Sequence, residues 1–350
     1  MSINLFRLLV LTIAAHSLRV SIAVAAPKPG VQSSAFIDAN IAHDFNDLPT
    51  RYRPYTTQPY YTDEGALNLG FVDAAYDSSE YRGRLALQYG SSVISNYSGE
   101  AEVAARYFQE AYGGVKIGES LTVDVGIFLS HIGHESWISR DNYTLSRSLV
   151  SDYSPYYQSG ARASYAFSEK MKGQLHLIRG WQNISSDRNP ALGTQISYEA
   201  SGDLTLIHNS FIGQEHGTRI FNDIVVRHRP SDQLEVGASL DLGIQERRDE
   251  TTALWHGWAL TGGLRVAKGV SIGGRVERFV DPHQVVIQGV SGASYNATGL
   301  SANVDIALSE GLLLRSEYRA FFAPKDIFPQ GEGLAPTDSF VLSSLQYSIR

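Results

Sequence analysis

Leu234-Glu-Val-Gly-Ala-Ser-Leu-Asp-Leu-Gly-Ile244 puts Leu234, Val236, Ala238, Leu240, Leu242 and Ile244 on one parity and Glu235, Gly237, Ser239, Asp241 and Gly243 on the other. Successive side chains of an extended chain point to opposite faces, so the segment reads as a strand with one apolar and one polar face. The pattern recurs along the chain. Leu121, Val123, Val125, Ile127 and Leu129 oppose Thr122, Asp124, Gly126, Phe128 and Ser130. Tyr81, Gly83, Leu85, Leu87 and Tyr89 oppose Arg82, Arg84, Ala86 and Gln88. Leu300, Ala302, Val304, Ile306 and Leu308 oppose Ser301, Asn303, Asp305 and Ala307. Strands of about 10 residues are twice the ordinary soluble length of about 5 to 6, and match the 9 to 11 that a tilted strand needs to cross a bilayer.

The connections alternate in kind. Tight turns of Gly, Pro, Ser and Asp type fall at 77–79, 118–120, 168–170, 201–203, 230–232, 267–269 and 309–311. Longer loops fall at 44–64, 91–102, 131–156, 182–191, 214–218, 245–252, 281–296 and 323–338. Eight loops and seven turns join sixteen strands, an even number that leaves both termini on the short-turn side. The expected strands are 34–43, 65–76, 80–90, 103–117, 121–130, 157–167, 171–181, 192–200, 204–213, 219–229, 233–244, 253–266, 269–280, 297–308, 312–322 and 339–350. The tenth has apolar residues on both parities (Ile220, Phe221, Ile224, Val225, Val226) and the first is short and mixed, so fourteen strands is the alternative count. Unpaired backbone groups in hydrocarbon cost several kcal/mol each, so the sheet has to close. The fold class is all-β: a single closed antiparallel transmembrane β-barrel with short periplasmic turns and longer extracellular loops. Tyr76, Tyr81, Tyr89, Tyr165, Trp181, Trp258 and Tyr347 are expected in the interfacial girdles.

Composition excludes several alternatives. Of 350 residues 43 % are hydrophobic and 11 % aromatic, so the chain folds rather than remaining disordered. No cysteine is present, which removes disulfides, thiolate metal sites and cysteine catalysis. No apolar run approaches the roughly 18 residues of a membrane helix. Arg7, the run Leu8–Ala15 and Ala23-Val-Ala25 have the layout of a secretory signal, read as residues 1–25, with the barrel occupying 26–350. Losing Arg7 and Arg19 from 29 basic residues leaves 27 against 36 acidic, a net charge of −9 that offers nucleic acid no electrostatic footprint.

At Ile132, Gly133, His134 and Glu135, then Asn142, Tyr143, Ser146, Arg147, Ser148, Pro155, Gly160, Tyr165, Phe167, Gly180, Trp181 and Asn189, the chain resembles the OmpL-like β-barrel porin family. The block Ala35–Asn46 and the strand ending Tyr89-Gly90 are similar to that family too. The resemblance implies an outer-membrane porin exported across the inner membrane and passing small hydrophilic solutes or ions by diffusion. No enzyme activity and no cofactor are expected. The expected partners are the lipid bilayer with its lipopolysaccharide and small polar solutes or ions, with a homotrimer left open.

A barrel of about sixteen strands is too wide for its own side chains to fill. The longest loop, 131–156, is the expected constriction element, carrying Glu135, Arg140, Asp141, Arg147 and Asp152. Alternation assigns Arg82, Arg84, Asp124, Glu235, Asp241, Arg275, Glu277, Asp305, Arg315, Glu317 and Arg319 to the pore lining. Facing clusters of opposite sign would set a transverse field, whereas rings of one sign would favour counter-ions. His131 and His134 beside Glu135 do not have zinc-hydrolase spacing, because Gly133 denies the helix that brings two histidines one turn apart. A barrel-borne hydrolase would need a Ser and a His converging at the rim, for which His208, Ser210 and His256 qualify by type alone. The alternative function is a ligand-selective or adhesive barrel whose lumen is largely closed.

Overall fold

The structure, a computed structural model, describes residues 30–349 except 187, 188, 248, 250 and 291; the expected export signal lies outside the described residues. Its strands are β1 (Gly30–Asp44), β2 (Gly65–Asp77), β3 (Tyr81–Tyr89), β4 (Phe108–Ile117), β5 (Leu121–Leu129), β6 (Tyr157–Ala166), β7 (Met171–Arg179), β8 (Pro190–Ser201) and β9 (Leu204–Gln214). They continue as β10 (Thr218–His228), β11 (Leu234–Glu246), β12 (Thr252–Ala267), β13 (Val270–Asp281), β14 (Tyr295–Ala307), β15 (Leu312–Phe322), β16 (Phe328–Gln330), β17 (Gly333–Ala335) and β18 (Thr337–Ile349). β16 and β17 form a hairpin within the last long loop. The other sixteen pair antiparallel, each with its sequence neighbour, and β1 closes on β18 from Ala35 opposite Ile349 to Asp44 opposite Phe340.

Closure turns alternation into inside and outside. In β11 Leu240 is 52 % exposed on the outer wall while Asp241 is 3 % exposed in the interior. Tyr76, Tyr81, Tyr89, Tyr165 and Tyr347 are exposed outward near strand ends, as girdle residues must be, whereas Trp258, also exposed outward, stands well inside β12 opposite Leu240. Trp181 departs from that expectation. Gly180, with φ 73°, turns the chain inward after β7, and the indole stands edge-on to Phe211 and Phe221 at 4.9 Å from each ring. The same cluster explains the tenth strand. Phe221 and Val225 are buried in the interior while Ile220 and Ile224 face outward, because the extracellular half of this barrel contains an apolar core. The expected fourth strand also begins late: residues 103–107 form a 3-10 turn whose Ala104 and Ala105 favour helical backbone over strand.

Two glycines shape the root of loop 131–156. Gly126 on β5 and Gly160 on β6 lie opposite each other with φ of 138° and 148°. A Cβ on either would stand 2.1 Å from a neighbouring carbonyl oxygen, that of Ala111 or Leu177. Only glycine fits this close strand approach where the loop leaves and re-enters the wall.

Candidate functional site: an interior charge ladder clasping a long loop

On β13 the inward parity carries Arg275 and Glu277, and on β15 Arg315, Glu317 and Arg319. Between them β14 presents Gly299, Ser301, Asn303 and Asp305. Its small residues let side chains meet across two strands. A Cβ at Gly299 would fall 2.6 Å from Oε1 of Glu277. Over that gap Arg319 Nη2 donates to Glu277 Oε1 at 2.6 Å and Arg275 Nη2 to Glu317 Oε1 at 3.2 Å. Arg275 Nε also donates to Glu277 at 3.1 Å, and Arg315 pairs with Asp305 at 2.7 Å. All the guanidinium side chains of this ladder are 0 % exposed.

What covers the ladder is the loop 131–156. Ser146 donates its backbone N–H to Glu317 at 2.5 Å and its hydroxyl to the other oxygen at 2.8 Å. Leu149 N–H donates to Glu277 at 2.5 Å. Arg275 in turn donates to Thr144 Oγ1 and the Ser146 carbonyl, both at 2.7 Å, and Arg315 donates to the carbonyls of Ser139 and Asn142. Glu135, 3.5 Å from Arg275, accepts from the backbone and hydroxyl of Ser148. Thus Glu135, Asn142 and Ser146, three residues of the motif carrying the family resemblance, contact the ladder directly, and Ser148 holds Glu135 in place. A hydrogen bond to a charged group contributes about 1.5–3 kcal/mol, so several together hold the loop firmly.

The remaining loop charges are placed apart. Arg140 donates to the carbonyl of Gly311, in a short turn, and to Ser348 Oγ, so the loop reaches toward the periplasmic end. Asp141 sits beside it in the 3-10 turn 139–141. Arg147 lies over the Tyr156 ring at 3.7 Å and donates to Asp152, which also accepts from Thr57 and Tyr156. Burial raises the Asp152 carboxyl above its ordinary range against the pull of Arg147. Burial pushes His131 down to about 4 and His134 down to about 3, the latter helped by the neighbouring Arg227.

Of the other expected lining residues, Arg82 and Arg162 converge on Asp124, and Arg84 bridges Asp73 and Glu110 at 2.7 Å each. These pair with one another along the opposite wall. Glu235 accepts from Arg229 and from Tyr143 of the loop. Asp241 accepts from Ser154 and lies opposite Asp223, whose carboxylate takes the Gly133 N–H at 2.9 Å.

Sequence reasoning passed over several interior residues. Asp38 gathers Ser139, Asn68 and Ser344, and Arg53 of the first long loop ties Asp44 to Asp338. Asp38 and Asn40 alternate with Ile37, Ala39 and Ile41, a signal available in the sequence; Arg53 lies in a loop and gives none. His208 and Ser210 do not converge on a reaction centre: the ring faces Asn222 and the hydroxyl faces Thr194, both on the outer wall.

Over residues 30–348 the sequence matches the family described as "Putative beta-barrel porin-2, OmpL-like". No curated protein matches it. Among solved structures, the outer membrane channel DcaP of Acinetobacter baumannii superposes with a TM-score of 0.62 at 11 % identity, over 91 % of this chain and 97 % of that one. The anion-selective porin of Comamonas acidovorans gives 0.59 at 10 %, over 92 % and 100 %. The trimer form of OmpT, an outer membrane protein of Vibrio cholerae, gives 0.59 at 11 %, over 92 % and 100 %.

Proposed function

The chain belongs to the Putative beta-barrel porin-2, OmpL-like family and is an outer-membrane porin, and on that premise we propose that it passes only small polar solutes and ions, through a path narrowed by loop 131–156. The observation that carries this reading is the clasp between Ser146, Leu149 and the Glu277–Glu317 pair, which holds the loop within the barrel. Charge selectivity is weak. Opposite charges interleave within hydrogen-bond distance on the β3–β6 and β13–β15 walls, as at Arg82–Asp124 and Arg319–Glu277, which opposes facing clusters of single sign there. Purified protein in planar bilayers is expected to give small, stable conductance steps and a reversal potential near zero under a salt gradient. Large steps, or strong preference for one ion sign, would contradict this reading.

A second reading keeps the lumen closed, with the extracellular loops engaging a partner. It is favoured by Glu277, Arg315, Glu317 and Arg319, whose side chains stand at the narrowing yet are covered throughout. Folded protein that inserts into bilayers without passing current would establish it. The assembly we propose is a homotrimer in a bilayer whose outer leaflet is lipopolysaccharide; the trimer form of the structurally similar OmpT supports that number.

A further inference from the structure

The outer wall of β8–β10 interrupts its apolar band with hydrogen-bonding groups. Thr194, Ser210 and Asn222 stand side by side across three strands, and His208 lies one step toward the periplasm. Alternation turns all four outward, since Gln195, Asn209 and Asp223 between them face the interior. Exposed Leu192 and Ile212 bound the patch toward the extracellular rim, and Leu206 and Ile224 toward the periplasm, so it lies within the lipid-facing band. His256 continues the row two strands further, beyond Leu242.

Polar groups facing hydrocarbon are costly unless another protein surface covers them. Internal pairing is incomplete here. Thr194 and Ser210 hydroxyls share a bond of 2.6 Å, and His208 Nε2 faces Asn222 Oδ1 at 3.1 Å. Among the described residues the Asn222 amide nitrogen and His208 Nδ1 have no partner, leaving unsatisfied hydrogen-bonding capacity directed outward. Other outward polar groups differ. Ser316 and Ser343 satisfy each other at 2.9 Å, and Arg278 bonds Asn296 and Thr298 beside Trp258.

We propose that this face of β8–β10 is turned toward the symmetry axis of the oligomer and meets the same face of other copies of this chain. The inference rests on the homotrimer reading above and names the face that forms it. Copies related by rotation about the membrane normal carry each residue at the same depth, so the patch finds its own donors and acceptors at its own level; an unrelated neighbour would have to match that depth independently. The set is self-complementary, with an amide, an imidazole and hydroxyls that each offer both donor and acceptor capacity. A groove of about 340 Å³ lined by Leu177, Leu192, Ile212 and Thr218 opens on the same wall and can receive an apolar side chain of a neighbour.

The absence of cysteine makes the test clean. Ser210→Cys, in outer-membrane vesicles treated with a short bis-maleimide, is expected to yield a covalent dimer, because two of three axis-facing thiols are joined. Val125→Cys, exposed outward on β5, is expected to remain monomeric. Sedimentation of wild type in mild detergent reads the subunit number separately, and the double variant His208→Leu/Asn222→Leu is expected to dissociate at a detergent dilution that leaves wild type assembled. Heat-modifiable gel mobility verifies that each variant is folded. Cross-linking at Val125 with none at Ser210, or a double variant as assembled as wild type, would overturn the choice of face. A monomeric wild type would overturn the oligomer reading itself.

Discussion

Arg275 shows what a single interior side chain must do here. It holds Glu277, Glu317 and Glu135 within 3.5 Å while donating to Thr144 and Ser146, so its removal leaves Glu317 and Glu135 buried beneath a loop without this counter-charge and Glu277 with Arg319 alone. Truncating one member of a buried ionic group costs about 3–5 kcal/mol. Arg275→Ala is therefore expected to lower the urea midpoint and expose loop 131–156 to protease, whereas Arg229→Ala, an exposed pair with Glu235, should cost less than about 1 kcal/mol. His131 adds a pH dependence. Its ring stacks on His176 at 4.0 Å and lies against Gln158 and the Ser210 carbonyl, and burial holds it neutral down to about 4, while a released loop would expose an imidazole of ordinary value near 6.5. A depressed histidine favours the docked form fully above the released value. Docking should weaken as pH falls from about 6.5 to about 4, and conductance recorded from pH 7 to 4 should rise over that window; a flat profile would contradict the assignment.

At the scale of the element, the strands were legible because each obeys one rule on both faces. Leu240 outward and Asp241 inward follow from the same alternation that predicts the strand. An arginine at Leu240 is expected to destabilise the barrel by about 2–4 kcal/mol, measured by equilibrium unfolding in lipid vesicles. The rule loses force where the interior is itself apolar. Phe221 and Trp181 belong to a core within the lumen, and nothing in their local sequence distinguishes that environment from lipid or headgroup. The loop was legible in length and motif, not in path, since its seat depends on side chains more than a hundred residues away, such as Glu277 and Glu317. Its root is set by the glycine pair. Gly126→Val is expected to block the close approach of β5 to β4 and reduce the yield of heat-modifiable folded barrel, whereas Gly113→Ala, with open space around its added carbon, should fold normally.

At the scale of the molecule, sixteen strands enclose a lumen that the chain then partly fills with its own loops. The first long loop reaches Asp338 through Arg53 and Asp152 through Thr57, and the last reaches Tyr55 through the Ile327 carbonyl, so loop 131–156 is braced from above as well as clasped from the wall. Width and exclusion are thereby set by different parts: strand number fixes the diameter, and the Arg275–Glu277–Glu317–Arg319 ladder fixes how much of it the loop occupies. The most direct measurement is single-channel conductance of wild type beside Glu277→Gln/Glu317→Gln in the same lipid and salt. Loosening the clasp is expected to give larger or frequently fluctuating steps from a barrel that remains folded. Identical step size and stability in the two proteins would show that the loop does not govern the path.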